Sequence, residues 1–498
     1  MAKVLGLSRA CAMTDPAFCS ATELLLRLRQ REISSLELLD HFIARVERHD
    51  PALNALVVRD FGRARERARQ ADAARARRED WGPLHGLPMT VKEAFDVPGL
   101  PTTWGHPERA THKAEAAAEA VRRLQAAGAI VFGKSNVPVD LADWQSFNPL
   151  YGTTCNPWDL SRSPGGSSGG SAALLAAGLT PLELGSDIGA SIRNPAHYCG
   201  IYGHKPTWGL VPMAGHQLPG MGCIDTLDIA VVGPMARSAE DLQLSMDVLA
   251  SPLQHFGLHG WSPTCWHDTG AAAGQMRVAI MANDDTAEVD QSVEKALLDL
   301  ADHLEREGVA VDRQARPVDS QESHATYIAL LRAGQAALLG DEAYRKVAET
   351  ADRFDPADTS YAARHWRAHV PTHQAWARHH QTRLRLQQQW ADFFGRFDLL
   401  ICPVAATPAV AHNHVPPRWE QMLDVNGPPQ PQTTQMFWAG YPGVVGLPAT
   451  AIPLALSPQG LPVGAQIIGP LRADPMTLRF ARWLENSYRG FQAPVGYQ

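Results

Sequence analysis

The stretch Ser163–Gly209, reading SPGGSSGGSAALLAAGLTPLELGSDIGASIRNPAHYCGIYGHKPTWG, carries two glycine-flanked serine turns, one at Ser167 and one at Ser191. Upstream, Lys92 stands in PMTVKEAFD. A serine hydroxyl is a weak nucleophile until a base removes its proton, and a lysine can be that base only when uncharged. Burial favours the neutral amine and lowers its pKa. Two serines and a lysine on glycine-rich backbone are the parts acyl transfer needs without a histidine base or a metal. Amides react slowly unless nucleophile, base and oxyanion site converge.

Two familiar readings of a glycine–serine loop fail on the residues. A phosphate loop ends in Gly-Lys-Ser/Thr, whereas Gly170 is followed by Ser171. The GxSxG elbow is missing too, because Ser167 has Gly165-Gly166 before it and Ser168 after it.

Working outward, short apolar runs alternate with helical segments. Residues 22–31 and 36–48 place apolar side chains at helical spacing, with Ser34 and Ser35 available as caps. Strands are expected at 87–91, 129–133, 229–233, 278–282, 399–404 and 449–454, with helices at 114–127 and 289–307. That alternation predicts an α/β fold with a largely parallel or mixed sheet covered on both faces. Residues 252–275 read as a surface loop, and 327–390 as an inserted helical layer crowded with His, Arg and Trp.

A net charge of −7 over 498 residues gives no polyanion-binding signal. The arginine-rich run 63–78 is interrupted by Glu66 and Asp72 and spaced by alanines, which fits a solvated helix better than a nucleic-acid arm. Seven cysteines, Cys11, Cys19, Cys155, Cys199, Cys223, Cys265 and Cys402, form no CxxC pair. They read as reduced thiols of a cytoplasmic protein, with no disulfide framework. The first residues lack the apolar core of a signal peptide, and no run approaches a membrane span of ~18 residues.

The motifs resemble those of the amidase signature family. The likeness runs through GKSNVPVD (133–140), NPLYGTTCNPWD (148–159), the glycine–serine stretch, GHKPTWG (203–209), VVGPMARSAEDL (231–242), FDLLICPV (397–404) and GLPVGAQIIGP (460–470). It implies a single domain over 1–498, a three-layer α/β/α fold with a large mixed central sheet, and a helical substrate-side layer around 320–395. It implies a Ser–cisSer–Lys triad: Ser191 the nucleophile, Ser167 the bridging serine after a cis peptide, Lys92 the general base. The backbone N–H groups of Ile188, Gly189, Ala190 and Ser191 would form the oxyanion hole. Ser168 would assist the proton relay, while Asp187 and Arg193 would fix the loop. The commoner family pattern has glycine at Ala190, and a methyl group there is expected to require a negative φ.

Other features take structural readings. His365 and His369 have metal-ligand spacing, but no glutamate lies between them and no third ligand is evident, so no metal is expected. Cys199 reads as a buried thiol. Trp144, Trp208, Phe437 and Trp438 are candidates for the substrate pocket. The expected activity is hydrolysis of a small carboxamide, anilide or related amide through a serine acyl-enzyme, with no cofactor. The alternative is the amidase-type subunit of a tRNA-dependent amidotransferase; esters or carbamates could react by the same route. Base rates point to a homodimer.

Overall fold

A computed structural model describes residues 15–218, 227–250, 272–416 and 418–498. Apolar runs form one eleven-stranded mixed sheet. In chain order its strands are β1 (Leu56–Arg59), β2 (Pro88–Lys92), β3 (Ile130–Ser135), β4 (Leu182–Asp187), β5 (Tyr202–Lys205), β6 (Val231–Ala236), β7 (Arg277–Ile280), β8 (Ala310–Asp312), β9 (Leu399–Pro403), β10 (Ala449–Leu456) and β11 (Pro462–Ile468). They lie side by side in the order β1-β3-β2-β4-β6-β5-β10-β11-β9-β7-β8. Every residue of β2, β4 and β6 is buried, as helices on both faces of a sheet require. The protein is an α/β fold of three layers.

Helices α1 (Ala21–Gln30) and α2 (Ser35–Leu53) each open with a capping box, Ser20 with Glu23 and Ser34 with Glu37. Ser34 is thus the cap of α2, while the Ser35 backbone donates to Asp72. Asp72 lies on α3 (Phe61–Ala76), the arginine-rich run, which buries Ala64, Ala68, Ala71 and Ala74 and leaves most of its arginines outside.

The expected helix at 114–127 shortens to α4 (Glu119–Ala126). Ala114 instead exchanges backbone hydrogen bonds with Gly99 and Leu100, and the Ala118 N–H donates to the Asp96 carbonyl. Tertiary backbone partners outweigh alanine's helix propensity there. The strands β1, β4, β5, β8 and β11 were not expected. β4 reads LELGSD, and its glutamate and serine obscure an apolar pattern that burial does not require of them.

The further helices are α5 (Gly169–Ala176), α6 (Arg193–Cys199), α7 (Ala239–Leu249) and α8 (Gln291–Arg306). The His/Arg/Trp-rich stretch makes α9 (Ser320–Ala336), α10 (Asp341–Ala351), α11 (Tyr361–His369) and α12 (His373–Phe394). Helices α13 (Met436–Gly443) and α14 (Asp474–Ser487) follow. Of the expected loop at 252–275, residues 252–271 lie outside the described residues, as do the N-terminal 1–14 and Cys11, Cys223 and Cys265. Among the described residues no helix is long and apolar enough to cross a membrane.

Parallel strands β2 and β4 pair as Thr90 with Glu183 and Val91 with Leu184, so their carboxyl ends reach the same edge of the sheet. Lys92 closes β2 and Asp187 closes β4. In open α/β sheets that edge is where ligands bind.

Candidate active site

Lys92 is fully buried and donates from Nζ to Ser167 Oγ at 2.7 Å and to Ser186 Oγ at 2.9 Å. Both acceptors are neutral hydroxyls. Burial therefore dominates, opposed only by the more distant charges of Asp187 and Glu183, and lowers the ammonium pKa to about 7. Glu183 is itself buried among Thr90, Ser135 and Ser171, and burial pushes its carboxyl up to about 8. A lysine substantially neutral near pH 7 can accept a proton. Ser186 was not anticipated as a lysine partner; its place one residue before Asp187, on the strand beside β2, is the signal that could have found it.

Ser167 and Ser168 sit on the loop entering α5, and the Gly166–Ser167 peptide is cis. Gly166 is confined: a Cβ there would lie 2.3 Å from the Asp143 carbonyl oxygen. The Gly166 N–H donates to Asn194 Oδ1, and the Ser168 N–H donates to the Ser191 carbonyl at 3.1 Å, which ties the two serine turns together. The Ser168 hydroxyl makes a long bond to the Ser186 carbonyl at 3.4 Å.

The turn 188–191 is held by its carbonyls. Tyr327 on α9 donates to the Ile188 carbonyl at 2.9 Å, Trp144 Nε1 to that of Gly189 at 2.6 Å, and the Asn194 N–H to that of Ala190 at 2.6 Å. In a planar trans peptide the following N–H points the opposite way. The Gly189 and Ser191 amides thus face away from these donors, and among the described residues neither they nor the Ile188 amide has an intramolecular acceptor. The Ala190 N–H departs from the expected oxyanion set, because it donates to Asp187 Oδ1 at 2.9 Å.

Ala190 also adopts φ 67°, against the expectation that its methyl group requires a negative φ. The left-handed conformation costs an L-residue about 1–2 kcal/mol. The bonds from Ala190 N–H to Asp187 and from Asn194 N–H to the Ala190 carbonyl hold it there.

Asp187 and Arg193 form a fully buried two-point pair, with Arg193 Nε and Nη2 each 2.9 Å from a carboxylate oxygen. Burial alone would raise the Asp187 carboxyl; the Arg193 guanidinium beside it holds it below the ordinary value. Arg193 also reaches Gln466 Oε1 and the Ala439 carbonyl, anchoring the turn to β11 and α13. Asp187→Asn strands a buried cation, and urea denaturation is expected to show a loss of about 3–5 kcal/mol.

Ser167, Ser186, Asp187, Ile188 and Ser191 line a cavity of ≈ 90 Å³ that opens to solvent. Its other wall includes Trp104, Met213, Leu227 and, just beyond α9, Leu338. Trp144, Phe437 and Trp438 are buried outside this lining: Trp144 braces the turn from behind, and Trp438 Nε1 donates to the Ala287 carbonyl. Their aromatic surface packs the core rather than the cleft. Trp208 is exposed and donates from Nε1 to the Leu227 carbonyl. Cys199 is buried, with its thiol against the Pro164 carbonyl and its pKa pushed up by burial. Among the described residues no cluster of three or more His, Cys, Asp or Glu is placed to hold a metal ion, and His369 Nδ1 meets the His365 carbonyl.

Comparison with known proteins gives the same architecture. The amidase family model matches residues 37–478. The chain is 31% identical over 472 residues to an indoleacetamide hydrolase of Bradyrhizobium diazoefficiens, covering 94% of this chain and 86% of that one. It is also 31% identical over 488 residues to a glutamyl-tRNA(Gln) amidotransferase subunit of Anaeromyxobacter sp. (strain K), covering 93% and 95%. The structure of a bacterial aryl acylamidase superposes with a TM-score of 0.77 at 24% identity, over 94% of this chain and 96% of that one.

Proposed function

From the premise that the chain belongs to the amidase family and is an amide-hydrolysing enzyme, we propose that it cleaves a small carboxamide or an aryl or alkyl amide through an acyl-enzyme on Ser191. The observation that carries this reading is Lys92: buried, pKa near 7, and 2.7 Å from the hydroxyl of a serine that lines the same cavity as Ser191.

Neutral Lys92 takes the Ser167 proton as Ser167 takes that of Ser191, whose Oγ attacks the amide carbon. The oxyanion is met by the open amides of Ile188, Gly189 and Ser191, in surroundings where such donors act strongly. The proton on Lys92 then passes back through Ser167 to the departing nitrogen, which leaves as ammonia or an amine. Water repeats the sequence on the ester and frees the carboxylate. Ser186, the second acceptor of Lys92, holds the amine in line during both transfers. The thiols of Cys155, Cys199 and Cys402, none of them in a disulfide, suit a reducing compartment such as the cytoplasm.

The test is a panel of primary amides, anilides, esters and carbamates given to purified protein without metal or ATP, with products read by mass spectrometry. Turnover of an amide by wild type and not by Ser191→Ala supports the reading. Release of ammonia only when tRNA and a second protein component are present would overturn it in favour of the amidotransferase role.

A further inference from the structure

His216 lies on the wall of the Ser191 cavity, on a segment anchored by bonds from the Asp96 N–H to the Gly215 carbonyl and from the His216 N–H to the Met213 carbonyl. Its ring packs against Phe95 and Trp104, at centroid distances of 4.8 and 5.4 Å. The side chain is nearly buried, with the residue 9% exposed, yet neither Nδ1 nor Nε2 has a hydrogen-bond partner among the described residues.

Two other polar side chains of the same lining have partners. Gln335 accepts from Arg332, and Asp140 faces His106 at 2.6 Å. Burial, reinforced by the charge of Lys92, lowers the His216 pKa to about 3, so the ring is neutral throughout the working range. A neutral imidazole offers one N–H donor and one nitrogen acceptor. Buried polar atoms are generally paired, and an unpaired one in a binding cavity is an unmet demand on the ligand.

We propose that His216 is a specificity-determining residue that hydrogen-bonds a neutral polar group of the substrate other than the scissile carbonyl, such as a hydroxyl or a second amide. This rests on the amide-hydrolase reading of the same cavity. Substrates bearing a carboxylate or an ammonium at that point are disfavoured, because the neutral ring cannot compensate a charge stripped of water. Purely hydrocarbon amides are disfavoured because they leave both ring nitrogens unpaired.

The experiment uses a serine-directed fluorophosphonate. Labelling of wild type, and not of Ser191→Ala, establishes the nucleophile independently of substrate choice; failure of that step alone would sink the hydrolase reading. Competition against labelling then compares 3-phenylpropanamide with its ortho-, meta- and para-hydroxy derivatives and its para-carboxylate, each relative to that variant's own labelling rate. In wild type at least one hydroxylated amide is expected to protect about tenfold better than the parent, with the carboxylate weaker than both. His216→Phe, which keeps an aromatic ring, should erase that preference, and His216→Gln, which keeps a donor and an acceptor, should restore part of it. Equal preference in wild type and His216→Phe, or no hydroxylated member better than the parent in wild type, would overturn the proposal.

Discussion

Ser191→Ala is expected to lower amide turnover by about 10⁴–10⁶-fold, the scale seen when the nucleophile of a hydrolase is removed. The loss should fall on the chemical step. Ser191 begins the turn into α6, and its backbone carbonyl, which accepts from Ser168, is untouched by the change. The turn keeps its bonds to Tyr327, Trp144 and Asp187, so the variant should fold, bind amides and fail to acylate. Mass spectrometry of wild-type protein quenched during turnover should find the acyl group on the peptide containing Ser191, and none on the variant. Turnover at the wild-type rate by purified Ser191→Ala would place the nucleophile elsewhere.

The second large effect is at Lys92. Its ordinary value of 10.5 falls to about 7 through burial, so the base is present above that pH and is consumed by protonation below it. The logarithm of kcat/KM should therefore rise by about one unit per pH unit up to about 7 and then level. Lys92→Ala should cost about 10²–10⁴-fold, the usual contribution of general acid–base catalysis, and abolish that limb of the profile. The limb matters more than the size of the loss. A lysine serving only to pack the loop could also lower activity when removed, but it would not imprint its own titration on the rate. A wild-type profile flat from pH 5 to 9 would exclude Lys92 as the base.

How much of this was legible in the chain depends on the range of the forces involved. The α/β class follows from alternating apolar runs and amphipathic segments, because strand and helix periodicities are local. A serine cap between the first two helices was legible from residue type, while the structure chose Ser34 over Ser35 and paired it with Glu37. The stretch 163–209, with Lys92, offers the groups proposed for acyl transfer, because nucleophile, base and small turn residues are types that chemistry demands. Strands such as β4 and β5 escaped notice since LELGSD and YGHK carry polar residues whose partners lie on other segments. The same limit applies to the pocket: Trp144 and Trp438 have the right residue type, and only their packing shows that they face the core.

By itself, then, the sequence determined the fold class and the family, and it nominated Lys92, Ser167 and Ser191 as the groups proposed to react, all from residue type and local pattern. Tertiary structure alone decided the lowered pKa of Lys92, the Ser186 contact, the capture of the Ala190 amide by Asp187 and the open nitrogens of His216. Each of these is set by burial or by a hydrogen bond between atoms whose approach depends on the folded backbone. Desolvation and hydrogen-bond direction are properties of a place in the fold, and residue identity carries neither.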